Sequence, residues 1–294
     1  MKKIISSFII VLFFFQGLIA QNQKYGNSIF WKITGKDAAG ESYLFGTYHL
    51  LSHAFIDTMP MVTDALNSSA AVITELVLDE TAQPKLMQAS LLNGSVLSQN
   101  ISAQTSEKLS KWLATEAGLE LSSFEPLNPM AVMTIVMSIA QQKYYPNPQG
   151  YLQLDSYFQE HAKANKKELI SLETVEQQID VLFNNFSVQR QSELLDELFS
   201  ENESIEQQLN MVYNSYLAQE INGMVTLAYE SYNSSEVEQL LDNRNKAWIP
   251  VLKNEMKAHP TFIAVGALHL AGKNGILQLL VDEGYIVEEI KIRN

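Results

Sequence analysis

The chain contains no cysteine among its 294 residues. This absence excludes disulfide bonds, thiolate metal ligands, a cysteine nucleophile and a lipid attached through cysteine. The chain also lacks a Gly-x-Ser-x-Gly sequence, a phosphate-binding loop and a dinucleotide fingerprint. If the protein is an enzyme, histidines and carboxylates are therefore the leading candidates for its chemistry.

Positive charge is scarce. Lysine and arginine together number 20 against 33 aspartates and glutamates, which gives a net charge of −13. An acidic surface of this kind argues against nucleic acid or an anionic membrane as a partner, because both repel it. It also disfavours acidic substrates.

Apolar runs long enough to span a bilayer are missing after residue 20. At the start of the chain, Lys2 and Lys3 precede an apolar run at 4–15, and Ala20 closes a short region suited to cleavage. This pattern predicts a removable export signal at 1–20, with an uncleaved anchor as the alternative. Loss of the two lysines would take the charge from −13 to −15. We expect an exported protein, periplasmic or extracellular, with no stable membrane span after signal cleavage.

Residues 21–294 are expected to form one domain, because 46% hydrophobic residues suffice for a sizeable core. Strand patterns cluster towards the two ends of the chain, at 28–33, 43–46, 70–76, 261–266 and 285–292. A helical insertion at about 80–250 separates them and contains a further strand at 168–174. We predict an α/β (α+β) fold with a central mixed sheet from the N- and C-terminal regions and a large helical middle section. The order from 43 to 76 fits a strand–helix–strand unit.

Two short motifs follow predicted strands. They are Gly46-Thr47-Tyr48-His49 and Gly266-Ala267-Leu268-His269, and Glu75 ends a third strand. Ligands of open α/β sheets lie beyond the carboxyl ends of the strands, so we expect His49, Glu75 and His269 to meet there. Two imidazoles and one carboxylate leave an open position on a metal ion, as in catalytic zinc sites.

Each candidate has an alternative role. His49 and His269 are predicted metal ligands, although each could instead form a local hydrogen bond at a strand end. Glu75 is a third ligand, a general base or a buried structural carboxylate. Arg244 could hold a substrate carboxylate or a developing oxyanion, and an ion pair with an acidic neighbour is equally open.

Other polar residues are placed around this set. Asp155 and Glu173 are candidates for orienting the ligating histidines. His53 follows His49 by four residues but is left out of the metal set, because His49 is expected at a strand end rather than on a helix. His161 and His259 lie in polar surroundings and are predicted to be surface residues.

The first motif, together with Glu75, resembles the TraB/GumN family, which includes the Tiki metalloproteases and the pheromone-shutdown proteins. The similarity covers about residues 28–292. Further segments that carry it are Phe124-Glu125-Pro126-Leu127, Leu154-Asp155-Ser156-Tyr157-Phe158, Ser171-Leu172-Glu173-Thr174-Val175-Glu176-Gln177-Gln178 and Val265-Gly266-Ala267-Leu268-His269-Leu270-Ala271-Gly272-Lys273-Asn274-Gly275.

The resemblance implies a Tiki-like fold with a metal-dependent hydrolase site at His49, His269 and Glu75. It also implies a divalent metal ion such as manganese, cobalt or zinc. Tyr48 is bulkier than the residue expected at its position in the motif, so the resemblance does not determine how wide the pocket is.

The expected function is a metal-dependent hydrolase, a metallopeptidase acting on a peptide or protein outside the cytoplasm, with Glu75 and Arg244 as catalytic candidates. One alternative is a non-catalytic protein that binds a peptide, haem or metal on the same fold. Another is a non-haem iron oxygenase, since two histidines and one carboxylate also suit that chemistry. Substrate, physiological metal and oligomeric state stay open.

Overall fold

A computed structural model describes residues 26–35, 37–200 and 204–292. The predicted export signal at 1–20 lies outside these residues. Contacts group the described residues into two compact units. One unit contains Leu78–Pro146 and Thr174–Met211, and the other contains the chain up to Val77, Asn147–Glu173 and the chain from Val212.

All six strands found among the described residues belong to the second unit. They are β1 (Phe30–Thr34), β2 (Ser42–Thr47), β3 (Ala71–Thr74), β4 (Glu168–Ser171), β5 (Thr261–Gly266) and β6 (Ile286–Glu289). They form one sheet in the order β4-β3-β5-β2-β1-β6. Strands β4, β3, β5 and β2 pair in parallel, whereas β1 pairs antiparallel with both β2 and β6. The predicted mixed sheet is confirmed.

The helices alternate with these strands and fill the middle of the chain. In chain order they are α1 (Pro60–Ser68), α2 (Ala82–Ala89), α3 (Ala103–Trp112), α4 (Pro129–Tyr144), α5 (Leu154–Ala164), α6 (Val175–Ile179), α7 (Val188–Ser200), α8 (Ile205–Leu217), α9 (Ile221–Ser231), α10 (Ser234–Val237), α11 (Asn243–Ala258) and α12 (Ile276–Asp282). In the described part of the chain, none of these helices is long and apolar enough to cross a membrane.

The central strands are buried on both faces. Every residue of β3 and of β5 is buried, which explains their continuous apolar runs. An aromatic cluster packs α5 against the sheet: the ring of Phe158 lies 5.5 Å from that of Phe45 and 5.0 Å from that of Phe262. This packing fixes the start of α5 close to the ends of the parallel strands.

Strand β5 lies between β2 and β3, so the two strands of the strand–helix–strand segment at 43–76 are not neighbours in the sheet. Its two strands are parallel as expected, but each pairs with β5. Thr47 is opposite Gly266, and Thr74 is opposite Ala264. The carboxyl ends of β2, β5 and β3 therefore lie side by side.

The described residues between 188 and 231 form three successive helices, α7, α8 and α9. Between α8 and α9, Gln219 adopts a left-handed conformation with φ of 58°, which interrupts the helix. In the other unit, Met130, Met133 and Met137 on α4 are buried, as expected for residues that fill a core.

Candidate functional site

The three predicted ligands come together at one edge of the sheet, all within the second unit. His49 follows the end of β2, Glu75 follows β3 and His269 follows β5. A β-carbon built on Gly266 would lie 3.1 Å from Oε1 of Glu75, 3.5 Å from Nε2 of His49 and 3.7 Å from Cδ2 of His269. The three side chains thus surround a space that the missing side chain of Gly266 leaves open.

His49 is oriented by a carboxylate. Its Nδ1 lies 2.7 Å from Oδ2 of Asp155, in the first turn of α5, and Thr47 donates a hydrogen bond of 2.9 Å to the other oxygen of Asp155. A carboxylate accepts, so Nδ1 carries a hydrogen and the Nε2 lone pair of the neutral ring is left for another partner. Burial tends to lower the pKa of His49, but the charge and hydrogen bond of Asp155 outweigh it and raise the pKa above its ordinary value.

The other imidazole is oriented by an amide. Nδ1 of His269 lies 2.7 Å from Oδ1 of Asn245 on α11, and the amide nitrogen of Asn245 donates to the carbonyl oxygen of Asn274 at 2.9 Å. This arrangement makes Nδ1 of His269 the donor and leaves the lone pair of Nε2 facing Arg244 at 3.1 Å. Burial and the guanidinium lower the pKa of His269 to about 3, so the ring is neutral.

Glu75 is held as an ionised carboxylate. Its Oε1 accepts the backbone N–H of Gly266 at 2.7 Å, and its Oε2 accepts from Nη2 of Arg244 at 2.8 Å. Oε1 also lies 3.8 Å from Nε2 of His269. Burial alone would raise the pKa of Glu75, but the charge of Arg244 outweighs it, and the pKa falls to about 2.

Arg244 forms the ion pairs that were one of its two expected roles. Besides Glu75, its guanidinium contacts Glu173 through Nε at 2.6 Å and Nη2 at 3.1 Å, and it donates from Nη1 to the carbonyl oxygen of Leu240 at 3.1 Å. The guanidinium carbon lies 4.9 Å from the ring centre of Trp248. The side chain of Arg244 is only 11% exposed.

Glu173 has a different contact from the one expected for it. It was a candidate for orienting a histidine, but its carboxylate binds Arg244 and accepts from Nε1 of Trp248 at 3.1 Å. The backbone N–H of Glu173 donates to the carbonyl oxygen of Glu75 at 2.9 Å, so the two acidic residues lie beside each other. Arg244 is then the cation that balances both.

The chemical types of the available ligand atoms suit a divalent metal ion. Each imidazole can offer Nε2 when its ring is neutral, while an acceptor holds Nδ1, and an ionised carboxylate lies beside them. Arg244 competes for Nε2 of His269 and for Oε2 of Glu75. Within the residues that the structure describes, the ligand atoms of His49, Glu75 and His269 do not all lie within 4.8 Å of one another. An ion would therefore have to displace Arg244, which keeps Glu173 and the carbonyl of Leu240 as partners.

Asn245 was not identified from the sequence, although it orients one of the two imidazoles. It directly follows Arg244 and lies three residues before Trp248, so all three side chains lie near one face of α11. Asn245 is only 1% exposed, and a buried polar residue of this kind on a helix can indicate a functional role. Its burial, however, is not visible in the sequence.

The remaining histidines stay outside the cluster. His53 begins a short 3-10 turn, and its ring stacks on that of Tyr157 at a centroid distance of 4.4 Å. His161 lies 3.0 Å from the side-chain oxygen of Asn67. His259 lies at the other end of β5 and pairs with Glu168.

Comparisons with known proteins show which sequences this chain resembles. The model of the TraB/PrgY/gumN family matches residues 29–289. The uncharacterized protein YbaP of Shigella flexneri is 26% identical over 261 residues, which cover 87% of this chain and 94% of the relative. YbaP of Escherichia coli (strain K12) is 25% identical over the same shares of both chains. No solved structure matches this chain significantly.

Proposed function

The chain belongs to the TraB/PrgY/gumN family, and from this membership and the geometry of the site we propose that it is a metal-dependent hydrolase, a metallopeptidase acting outside the cytoplasm. One observation carries the proposal. His49, Glu75 and His269 come from three separate strand ends, and they surround one point beside Gly266. The two imidazoles are also oriented by Asp155 and Asn245 in the way that metal-binding histidines usually are.

In this proposal Nε2 of His49, Nε2 of His269 and the carboxylate of Glu75 hold a divalent ion such as manganese, cobalt or zinc. When bound, such an ion supplies Lewis acidity, which lowers the pKa of water and polarises a carbonyl group. Glu75 is ionised in the structure, because its pKa is lowered to about 2, and an ionised carboxylate suits a metal ligand.

Arg244 has donors to offer a substrate. Its Nη1 hydrogen-bonds to His269 and its Nη2 to Glu75. Both hydrogen bonds would be broken when these two residues bind an ion instead. Glu173 would keep the guanidinium in place through Nε. A carbonyl oxygen that gains negative charge could then accept from Arg244, which is a stabilising role suited to peptide hydrolysis.

The test is cleavage of a peptide library by the purified protein, followed by mass spectrometry, with Mn²⁺, Co²⁺ or Zn²⁺ added after EDTA treatment. We expect cleavage that requires a divalent ion and is lost in His49→Ala and His269→Ala. His161→Ala is the matched control, because the ring of that histidine contacts Asn67 and Tyr157 and lies outside the cluster. Cleavage that survives in both site variants would contradict the proposal.

One observation favours a second candidate, a protein that binds a peptide, haem or metal without turnover. Arg244 hydrogen-bonds to Nε2 of His269 and Oε2 of Glu75, and these contacts compete with the binding of a catalytic ion. The same assay separates the two functions. Metal retention with no cleavage under any of the three ions would favour the binding protein.

Export is proposed from the first 20 residues of the sequence. The measurement is N-terminal sequencing of the protein recovered from outside the cytoplasm. A mature chain beginning near residue 21 is expected. A cell-associated chain that still begins at Met1 would indicate the uncleaved anchor instead.

A further inference from the structure

A second group of possible ligands lies at the opposite edge of the same sheet. Glu168 is the first residue of β4, Glu255 is in the last turn of α11, and His259 connects α11 to β5. One ligand atom from each of these three residues lies within 4.8 Å of the other two. Nε2 of His259 is 3.1 Å from a carboxylate oxygen of Glu168 and 3.9 Å from one of Glu255.

The orientation of His259 is fixed by the backbone. Its Nδ1 lies 3.1 Å from the carbonyl oxygen of Glu255, which also accepts the backbone N–H of His259 at 3.0 Å. A carbonyl oxygen only accepts, so Nδ1 carries a hydrogen. In the neutral ring, Nε2 therefore presents its lone pair to the two carboxylates.

Three electron-rich atoms then face one another, and this arrangement calls for a cation. In the described part of the chain, the ion pairs of Glu168 and Glu255 are both with His259, so neither carboxylate is balanced there by a lysine or arginine. A proton on Nε2 is one solution. A divalent ion bound by all three atoms is another, and it also works when the ring is neutral.

We propose that Glu168, Glu255 and His259 form a second divalent-cation site, separate from the one at His49, Glu75 and His269. An imidazole ligand favours a first-row transition ion such as Zn²⁺ over Mg²⁺ or Ca²⁺. Strand β5 spans six residues between the two sites, which places them roughly 20 Å apart at about 3.3 Å per residue. The ion would join the end of α11 to the start of β4.

Solvent access indicates a structural and exchangeable ion. The side chains of His259, Glu168 and Glu255 are 23%, 62% and 25% exposed, so water can complete the coordination. The proposal does not depend on the hydrolase activity. It does change how metal content is interpreted, because a fully loaded chain would carry two ions rather than one.

The test is equilibrium dialysis of the metal-free full chain against Zn²⁺, with metal content measured by mass spectrometry. We expect two equivalents for the wild-type chain. His259→Ala, Glu168→Gln and Glu255→Gln should each lose one equivalent or weaken it at least tenfold. His161→Ala is the control and should keep both.

A further variant separates loss of the site from loss of the fold. His259→Lys places a fixed positive charge between the two carboxylates, so it should keep the circular dichroism of the wild-type chain while binding one equivalent fewer. If His259→Ala and His259→Lys bind Zn²⁺ as the wild type does, the cluster is only a protonated ion pair and the inference is wrong. If instead His49→Ala and His269→Ala lose no equivalent, the proposed hydrolase site fails and this second site is unaffected.

Discussion

Replacement of Arg244 by alanine is expected to be one of the most destabilising single substitutions in the second unit. The guanidinium balances two carboxylates, Glu75 and Glu173, whose side chains are 11% and 4% exposed. Removal of one partner from a buried ion pair leaves an uncompensated charge and costs about 3–5 kcal/mol. The net fall in the pKa of Glu75 from 4.5 to about 2 corresponds to about 3 kcal/mol at about 1.4 kcal/mol per pKa unit, and the charge of Arg244 is the largest of the effects that lower it.

The assay is urea unfolding at pH 7 in EDTA, followed by circular dichroism. We expect Arg244→Ala to lose about 3–5 kcal/mol of unfolding free energy. Arg190→Ala on α7 is the matched control. Arg190 pairs with Glu193 and Glu197 and its side chain is 24% exposed, so its loss should cost at most about 1 kcal/mol. If the two arginine variants are equally stable, Arg244 does not balance buried charge in the way described.

Two further properties of Arg244→Ala follow from the same contacts. Without the arginine, burial would raise the pKa of Glu75, so its carboxyl could take up a proton and the loss of stability should shrink from pH 7 to pH 5. The substitution also releases Nε2 of His269 and Oε2 of Glu75. Excess Mn²⁺ should therefore restore stability to this variant more than it stabilises the wild-type chain.

The remaining predictions concern the same site. Because the pKa of His269 is lowered from 6.5 to about 3, its contribution to the free energy of unfolding should be complete above pH 6.5 and decrease as the pH falls towards 3. In denaturation experiments in EDTA, His269→Asn should make the free energy of unfolding depend less on pH in this range. An unchanged pH dependence in the variant would contradict the lowered pKa. Asp155→Asn should weaken metal binding about 10–100-fold in calorimetry, because the ring of His49 loses its anionic acceptor, and unaltered affinity would argue against that role. Gly266→Ala should prevent metal binding, because the added β-carbon would lie 3.1 Å from the carboxylate of Glu75. Gly223→Ala is the control and should bind metal normally, because the nearest atom to its added β-carbon is 4.0 Å away. Equal metal binding by the two variants would contradict this geometry.

The meeting of His49, Glu75 and His269 could be predicted because it depends on local signals. Each residue follows a short apolar run, and parallel strands bring their carboxyl ends to one edge. The order of the strands could not be predicted in the same way. Nothing in the segment 43–76 indicates that a strand from residues 261–266 is inserted between its two strands, because that pairing is made over some 200 positions of sequence.

The partners of the site residues were harder to predict than the residues themselves. Glu173 and Asp155 both carry a carboxylate near the start of a helix or the end of a strand, and both were candidates for orienting a histidine. Asp155 contacts His49, whereas Glu173 hydrogen-bonds to Trp248 and Arg244 on α11. Which helix covers a strand end is decided by tertiary packing, and a sequence pattern of this kind does not carry that information.

The most direct test is a crystal structure of the protein loaded with Co²⁺ or Zn²⁺, with the ion located by anomalous scattering. The proposed function predicts a peak about 2.0–2.2 Å from Nε2 of His49, Nε2 of His269 and a carboxylate oxygen of Glu75, with Arg244 withdrawn to Glu173. A map with no peak among these three residues, and with Arg244 still hydrogen-bonded to both Glu75 and His269, would contradict it.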